Sequence, residues 1–100
     1  MATFAEWNEL YESAYDTPGD LSGLACPDCG RHALHLVYTG DLDQLTGWGT
    51  FWCDNCLRGI GISRAVVPEG AILRDRHLPP EHRRPRIPGN VQLVPDELPP

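Results

Sequence analysis

Apolar residues recur at helical spacing near the start of the chain and in alternation further on. Phe4, Trp7, Leu10, Tyr11 and Ala14 fall three or four positions apart, with Glu6, Glu9, Ser13 and Asp16 toward the other side. That spacing predicts an amphipathic helix over 4–15. Thr3-Phe4-Ala5-Glu6 reads as a capping box at its start, and Thr17-Pro18-Gly19 ends it. From His32 the period becomes two. Leu34, Leu36 and Tyr38 share one face of a strand over 32–38, and an acidic, turn-rich stretch over 39–47 leads to a second strand over 48–53. In that strand Trp48, Thr50 and Trp52 lie opposite Phe51 and Cys53. A third strand is expected over 59–67, stopped by Pro68.

Beyond Pro68 the pattern lapses. Leu78-Pro79-Pro80, Arg83-Arg84-Pro85-Arg86 and Ile87-Pro88-Gly89 interrupt any helix or central strand, so residues 69–100 are expected as an extended arm. Its two apolar islands, 71–73 and 91–94, are each short enough to serve as an added strand or an anchor in a pocket. The reading divides the chain into a helix (1–19), a central unit (20–68) and the arm (69–100).

The central unit contains every cysteine of the chain. Cys26-Pro27-Asp28-Cys29 and Cys53-Asp54-Asn55-Cys56 are two Cys-x-x-Cys pairs separated by enough chain for a hairpin. Such a turn delivers two sulfurs to one metal and points backbone N–H groups at them, so two turns close a tetrahedral four-thiolate site. Arg31 and Arg58, each two residues beyond its pair, are candidates to offset the negative charge of the thiolates.

These knuckles resemble those of the zinc ribbon superfamily over residues 24–67. The resemblance implies one structural Zn2+ held by Cys26, Cys29, Cys53 and Cys56, clamping a small antiparallel sheet. The expected fold is thus a small metal-stabilised α+β unit, a three-stranded antiparallel ribbon with an N-terminal helix and a C-terminal arm. The first knuckle, closed by Gly30, fits the ribbon pattern closely. The second departs from it, with Leu57 where a glycine would stand and Gly59 arriving two residues later.

Other uses of four cysteines fit less well. Disulfides would suit a secreted chain, but no apolar stretch near Met1 resembles a signal peptide and no run reaches membrane-spanning length, which points to the cytoplasm. A rubredoxin-like iron site takes the same ligands, and ligand type does not separate the two metals. A thioredoxin-like motif would need a helix after the first pair, where a strand is predicted. Cys53, Cys56, His77 and His82 echo a two-cysteine, two-histidine finger, but with too long a gap.

Composition narrows the function. With 41% hydrophobic and 8% aromatic residues in 100, a self-sufficient core is hard to build, so metal must carry much of the stability. The net charge of −6 weighs against simple nucleic-acid binding. Charge is uneven, however: Arg74, Arg76, Arg83, Arg84 and Arg86 make 74–86 the only basic stretch, and it has no aromatic residue for base stacking. All eight basic residues are arginine, which codon bias also explains.

Trp7, Tyr11, Trp48 and Trp52 are partner-facing candidates, set against the alternative that they pack on the ribbon sheet. No nucleophile elbow or phosphate loop occurs, and a site closed by four cysteines leaves no open position for substrate water, so no enzymatic activity and no small-molecule substrate are expected. The expected function is a protein-interaction module. A transcription-associated or nucleic-acid-binding ribbon and a rubredoxin-like electron carrier are the alternatives.

Overall fold

In the computed structural model, which describes residues 2–95, helix α1 (Phe4–Asp16) precedes five strands: β1 (Leu34–Asp41), β2 (Thr46–Cys53), β3 (Arg58–Val66), β4 (Ile72–Asp75) and β5 (Gln92–Leu93). Thr3 caps the helix, its hydroxyl accepting the Glu6 N–H at 3.2 Å, and Thr17 closes it. The helix and the three central strands stand where the periodicity places them. The expected 39–47 loop is shorter than predicted, because β1 and β2 continue to Asp41 and Thr46. Gly40 and Gly47 face each other there, and a Cβ on either would overlap the opposite backbone.

The sheet corrects the three-stranded expectation. Its order is β4-β1-β2-β3-β5, with β1, β2 and β3 antiparallel and both outer strands parallel to their neighbours. The two apolar islands of the arm are these outer strands, Ile72 pairing beside Val37 and Leu93 beside Gly59. The arm is therefore folded back rather than extended, in keeping with a radius of gyration of 13.1 Å against about 13 Å for a compact domain of this length. Its last residues, 96–100, lie outside the described residues, as does Met1.

Alternation along β1 and β2 gives the sheet two covered faces. Leu34, Leu36 and Tyr38 join Phe51, Cys53 and Ile60 in the core beneath Trp7 and Ala14 of the helix. Trp7 meets Phe51 edge to face with ring centroids 5.5 Å apart. Val37, Thr39 and Trp52 point the other way, yet are only 2%, 1% and 3% exposed. Because β4 and β5 occupy opposite edges, residues 76–91 must bridge the sheet, and they form a strap over this second face. Arg74 ties the strap down: Nε and Nη2 donate to the Thr39 hydroxyl at 2.9 and 2.8 Å, and Nη1 to the Pro85 carbonyl at 3.3 Å. Among the described residues no helix is long and apolar enough to cross a membrane.

Candidate metal centre

The two Cys-x-x-Cys turns sit at one end of the sheet, the first leading into β1 and the second joining β2 to β3. In each, the residue after the second cysteine donates its N–H to the carbonyl of the first: Gly30 to Cys26 and Leu57 to Cys53, both at 2.9 Å. Both residues have positive φ, 77° for Gly30 and 57° for Leu57. The missing glycine of the second knuckle has thus not changed its shape; a leucine occupies the left-handed conformation instead, against its steric preference.

The four sulfurs converge within 4.8 Å of one another. Cys26 Sγ lies 3.6 Å from Cys56 Sγ, and Cys29 Sγ 3.6 Å from Cys53 Sγ. A tetrahedron with metal–sulfur bonds of about 2.3 Å has edges of about 3.8 Å, so the spacing fits a four-thiolate ion. None of the cysteines is in a disulfide. His77 and His82 of the strap stand apart from the cluster.

Backbone amides prepare the sulfurs for negative charge. The N–H groups of Asp28 and Cys29 point at Cys26 Sγ at 3.3 and 3.4 Å. The Arg31 N–H donates to Cys29 and the Arg58 N–H to Cys56, at matching positions of the two turns. Arg31 and Arg58 thus serve the sulfurs through the main chain, and among the described residues neither guanidinium hydrogen-bonds to one. The Arg31 N–H, followed by the Asn55 amide, lowers the Cys29 thiol to about 6. Burial raises Cys26 to about 12 and also raises Cys56. One sulfur is thus ready as thiolate, while buried Cys26 needs a cation beside it to ionise.

Three residues that support the cluster escaped the sequence reading: Asp28, Asp54 and Asn55. Asp28, inside the first turn, accepts the Trp7 indole N–H at 3.1 Å on one oxygen and the Ala2 N–H on the other. Asp54 accepts the Trp52 indole N–H at 3.1 Å and faces His35 Nε2 at 3.1 Å, with the His35 ring stacked on Trp52. Asn55 reaches across to the other knuckle, its Nδ2 lying 3.5 Å from Cys29 Sγ. The available signal was a polar residue between each pair of cysteines, at positions where a short side chain meets turn backbone or a neighbouring sulfur.

The partner-facing candidates separate into interior and surface groups. Trp7 is fully buried and Trp52 nearly so, while Tyr11 is half-buried, its hydroxyl 2.7 Å from that of Tyr38. These rings pack against the sheet, which is the alternative weighed for them. Trp48, 39% exposed, is the tryptophan left at the surface. Arg74 is half-buried as described. Arg83 donates to the Leu78 and Arg76 carbonyls, and Arg84 to those of Glu81 and Arg83, so all three serve the strap's own fold. Arg76 and Arg86 are exposed. Arg76 lines a groove of about 500 Å³ with Trp48 and Arg64, a residue the sequence reading passed over.

No family model, no curated protein and no solved structure matches this chain.

Proposed function

We propose that the chain is a non-enzymatic interaction module built around one structural Zn2+, held by Cys26, Cys29, Cys53 and Cys56, and that its partner is another protein. The observation that carries the reading is the closed set of four sulfurs. Four thiolates fill a tetrahedral ion and leave no position for a reacting water, so the ion's contribution is cross-linking. Bound there, zinc supplies charge that keeps the thiolates ionised and joins the β2–β3 turn to the segment before β1. A four-thiolate ion needs reduced cysteines, which supports a reducing compartment such as the cytoplasm. Most guanidiniums of the basic stretch 74–86 are engaged in holding the strap, which favours a protein partner over nucleic acid.

Native mass spectrometry with elemental analysis tests the metal assignment. The expected result is one zinc per chain with four reduced cysteines. Iron in its place, with a reversible redox couple, would replace this reading with the electron-carrier one. A pull-down tests the partner class: recovery of nucleic acid alone, in a form lost steeply as salt rises, would replace the protein partner with the nucleic-acid-binding alternative.

A further inference from the structure

Arg74 is a half-buried cation held by neutral oxygens alone, the Thr39 hydroxyl and the Pro85 carbonyl. Burial, followed by the charge of nearby Arg83, lowers its guanidinium from the ordinary arginine value. A cation withdrawn from water in this way is normally paired with an anion. The ion-pair contacts among the described residues belong to His35 and His77, and none reaches Arg74. β4, which carries Arg74, and β5, which leads to the undescribed residues 96–100, lie at opposite edges of the sheet, about 19 Å apart.

The guanidinium also has donors to spare. Nε and one N–H of Nη2 go to Thr39 and one N–H of Nη1 goes to Pro85, so each Nη keeps an N–H. Arg74 borders a groove of about 400 Å³ together with Pro80, Glu81, Arg86 and Ile87. Its bond to the Pro85 carbonyl fixes the strap next to Arg86, which brings a second guanidinium to the same groove. Arg86 is exposed and has no carboxylate within 4.0 Å among the described residues. Glu81 borders the groove beyond that distance from both arginines, so it opposes an anion there without neutralising either.

Planar guanidiniums match the oxygens of a phosphate group, and two of them suit its double charge. The rest of the wall is aliphatic, from Pro80 and Ile87, with no ring on which a nucleobase could stack. A short side chain bearing the phosphate fits such walls better than a nucleotide does. We propose that the groove between Arg74 and Arg86 binds a phosphate monoester, carried by a phosphoserine or phosphothreonine of the partner protein. This deepens the interaction-module reading and rests on it. Thr39 is then a positioning residue, holding Arg74 in place from beneath.

The test uses the metal-loaded full chain labelled with 15N, titrated with an alanine-rich heptapeptide carrying a central phosphoserine, with its unphosphorylated twin and with adenosine monophosphate. The phosphopeptide is expected to shift the Arg74 and Arg86 side-chain Nε–H signals and the amides of 81–87, and inorganic phosphate to displace it. Arg86→Ala, at an exposed position that leaves metal content unchanged, is expected to weaken the phosphopeptide by about tenfold or more. Glu81→Gln is expected to strengthen it. Four results overturn the proposal: no response to the phosphopeptide, an equal response to the unphosphorylated twin, affinity that Arg86→Ala leaves unchanged, or adenosine monophosphate binding more tightly than the peptide, which would make the ligand a nucleotide. Capture of the same proteins from a lysate before and after phosphatase treatment would overturn the phosphate site while leaving the module standing. Capture of none from either would overturn the module itself.

Discussion

The indole N–H of Trp7 donates to Asp28 Oδ2 at 3.1 Å, across 21 positions of sequence. Asp28 lies between Cys26 and Cys29, and its own N–H points at Cys26 Sγ. A core residue of the helix is thus bonded to the turn that holds half the metal site. The second turn has its own version, with the Trp52 indole on Asp54. Each knuckle is braced by a tryptophan that is buried in the sheet's packing, one on each face, so metal site and core share residues and should lose order together.

Trp7→Phe keeps most of the ring's packing and removes the donor. Losing a buried hydrogen bond to a carboxylate is expected to cost about 1–3 kcal/mol, and metal affinity should fall with it because the first turn is no longer held by the helix. Trp7→Ala also empties part of the core and should cost about 3–5 kcal/mol. Urea unfolding of the metal-loaded chain, paired with competition against a chromophoric chelator, reads both effects. Lower stability with unchanged metal affinity would show that the Asp28 bond serves the core alone.

Metal removal should unfold more than the knuckles. Cys53 ends β2 and Cys56 stands two residues before β3, so an ion held by these sulfurs would anchor two of the three central strands. Structural zinc contributes roughly 10–16 kcal/mol against a usual folding margin of roughly 5–15, so the chain without metal has little left to fold with. A chelator is expected to abolish the strand signal in circular dichroism and the amide dispersion of β1 to β3, with recovery when zinc is returned. A sheet that persists in the chelator would mean that the helix and strap hold it unaided.

The features legible in the sequence were those with a local period or motif. Phe4 to Ala14 marked the helix, alternation from Leu34 marked β1, and the cysteine spacing marked the ligands, which the structure brings together. The outer strands left a weaker trace, since a parallel partner such as Val37 for Ile72 lies far away in sequence and imposes no local pattern. The proline-rich composition of 78–89 suggested an extended arm because prolines do bar regular structure; nothing local shows that such a segment can still cross and cover a sheet. The role of Arg74 was hidden for the same reason, since its hydroxyl partner Thr39 is 35 positions away.

Alkaline pH should destabilise the fold through Tyr38. Burial, then its bond to Tyr11, raises the Tyr38 hydroxyl above its usual value, and burial raises Tyr11 as well. A tyrosine that keeps its proton in the folded state contributes stability that is complete below the unfolded value of about 10 and is lost as pH rises beyond it. For Tyr38 the loss should approach about 1.4 kcal/mol per pH unit. Urea midpoints from pH 8 to 11.5 should fall steeply above pH 10 in wild type and less steeply in Tyr38→Phe. Parallel curves for the two proteins would show that Tyr38 ionises freely in the fold.

Leu57 offers a cleaner test of the second knuckle. It sits at φ 57° where the first knuckle has Gly30 at φ 77°. A left-handed conformation costs a residue with a Cβ roughly 1–2 kcal/mol, whereas glycine adopts it freely but gives up about 0.5–1 kcal/mol in chain entropy. Comparing Leu57→Gly with Leu57→Ala removes the leucine's own packing from the account, since both variants lose it. Glycine should be the more stable of the pair by up to about 1 kcal/mol, the reverse of its rank in helices and strands. Gly30→Ala, with open space around its Cβ, should lose a similar amount through φ alone. Chelator competition on the same variants should rank metal affinity in the same order, because the turn that strains the backbone also aims the Cys53 and Cys56 sulfurs. If alanine matches or exceeds glycine at 57, the second knuckle does not hold the left-handed turn that makes it the equal of the first.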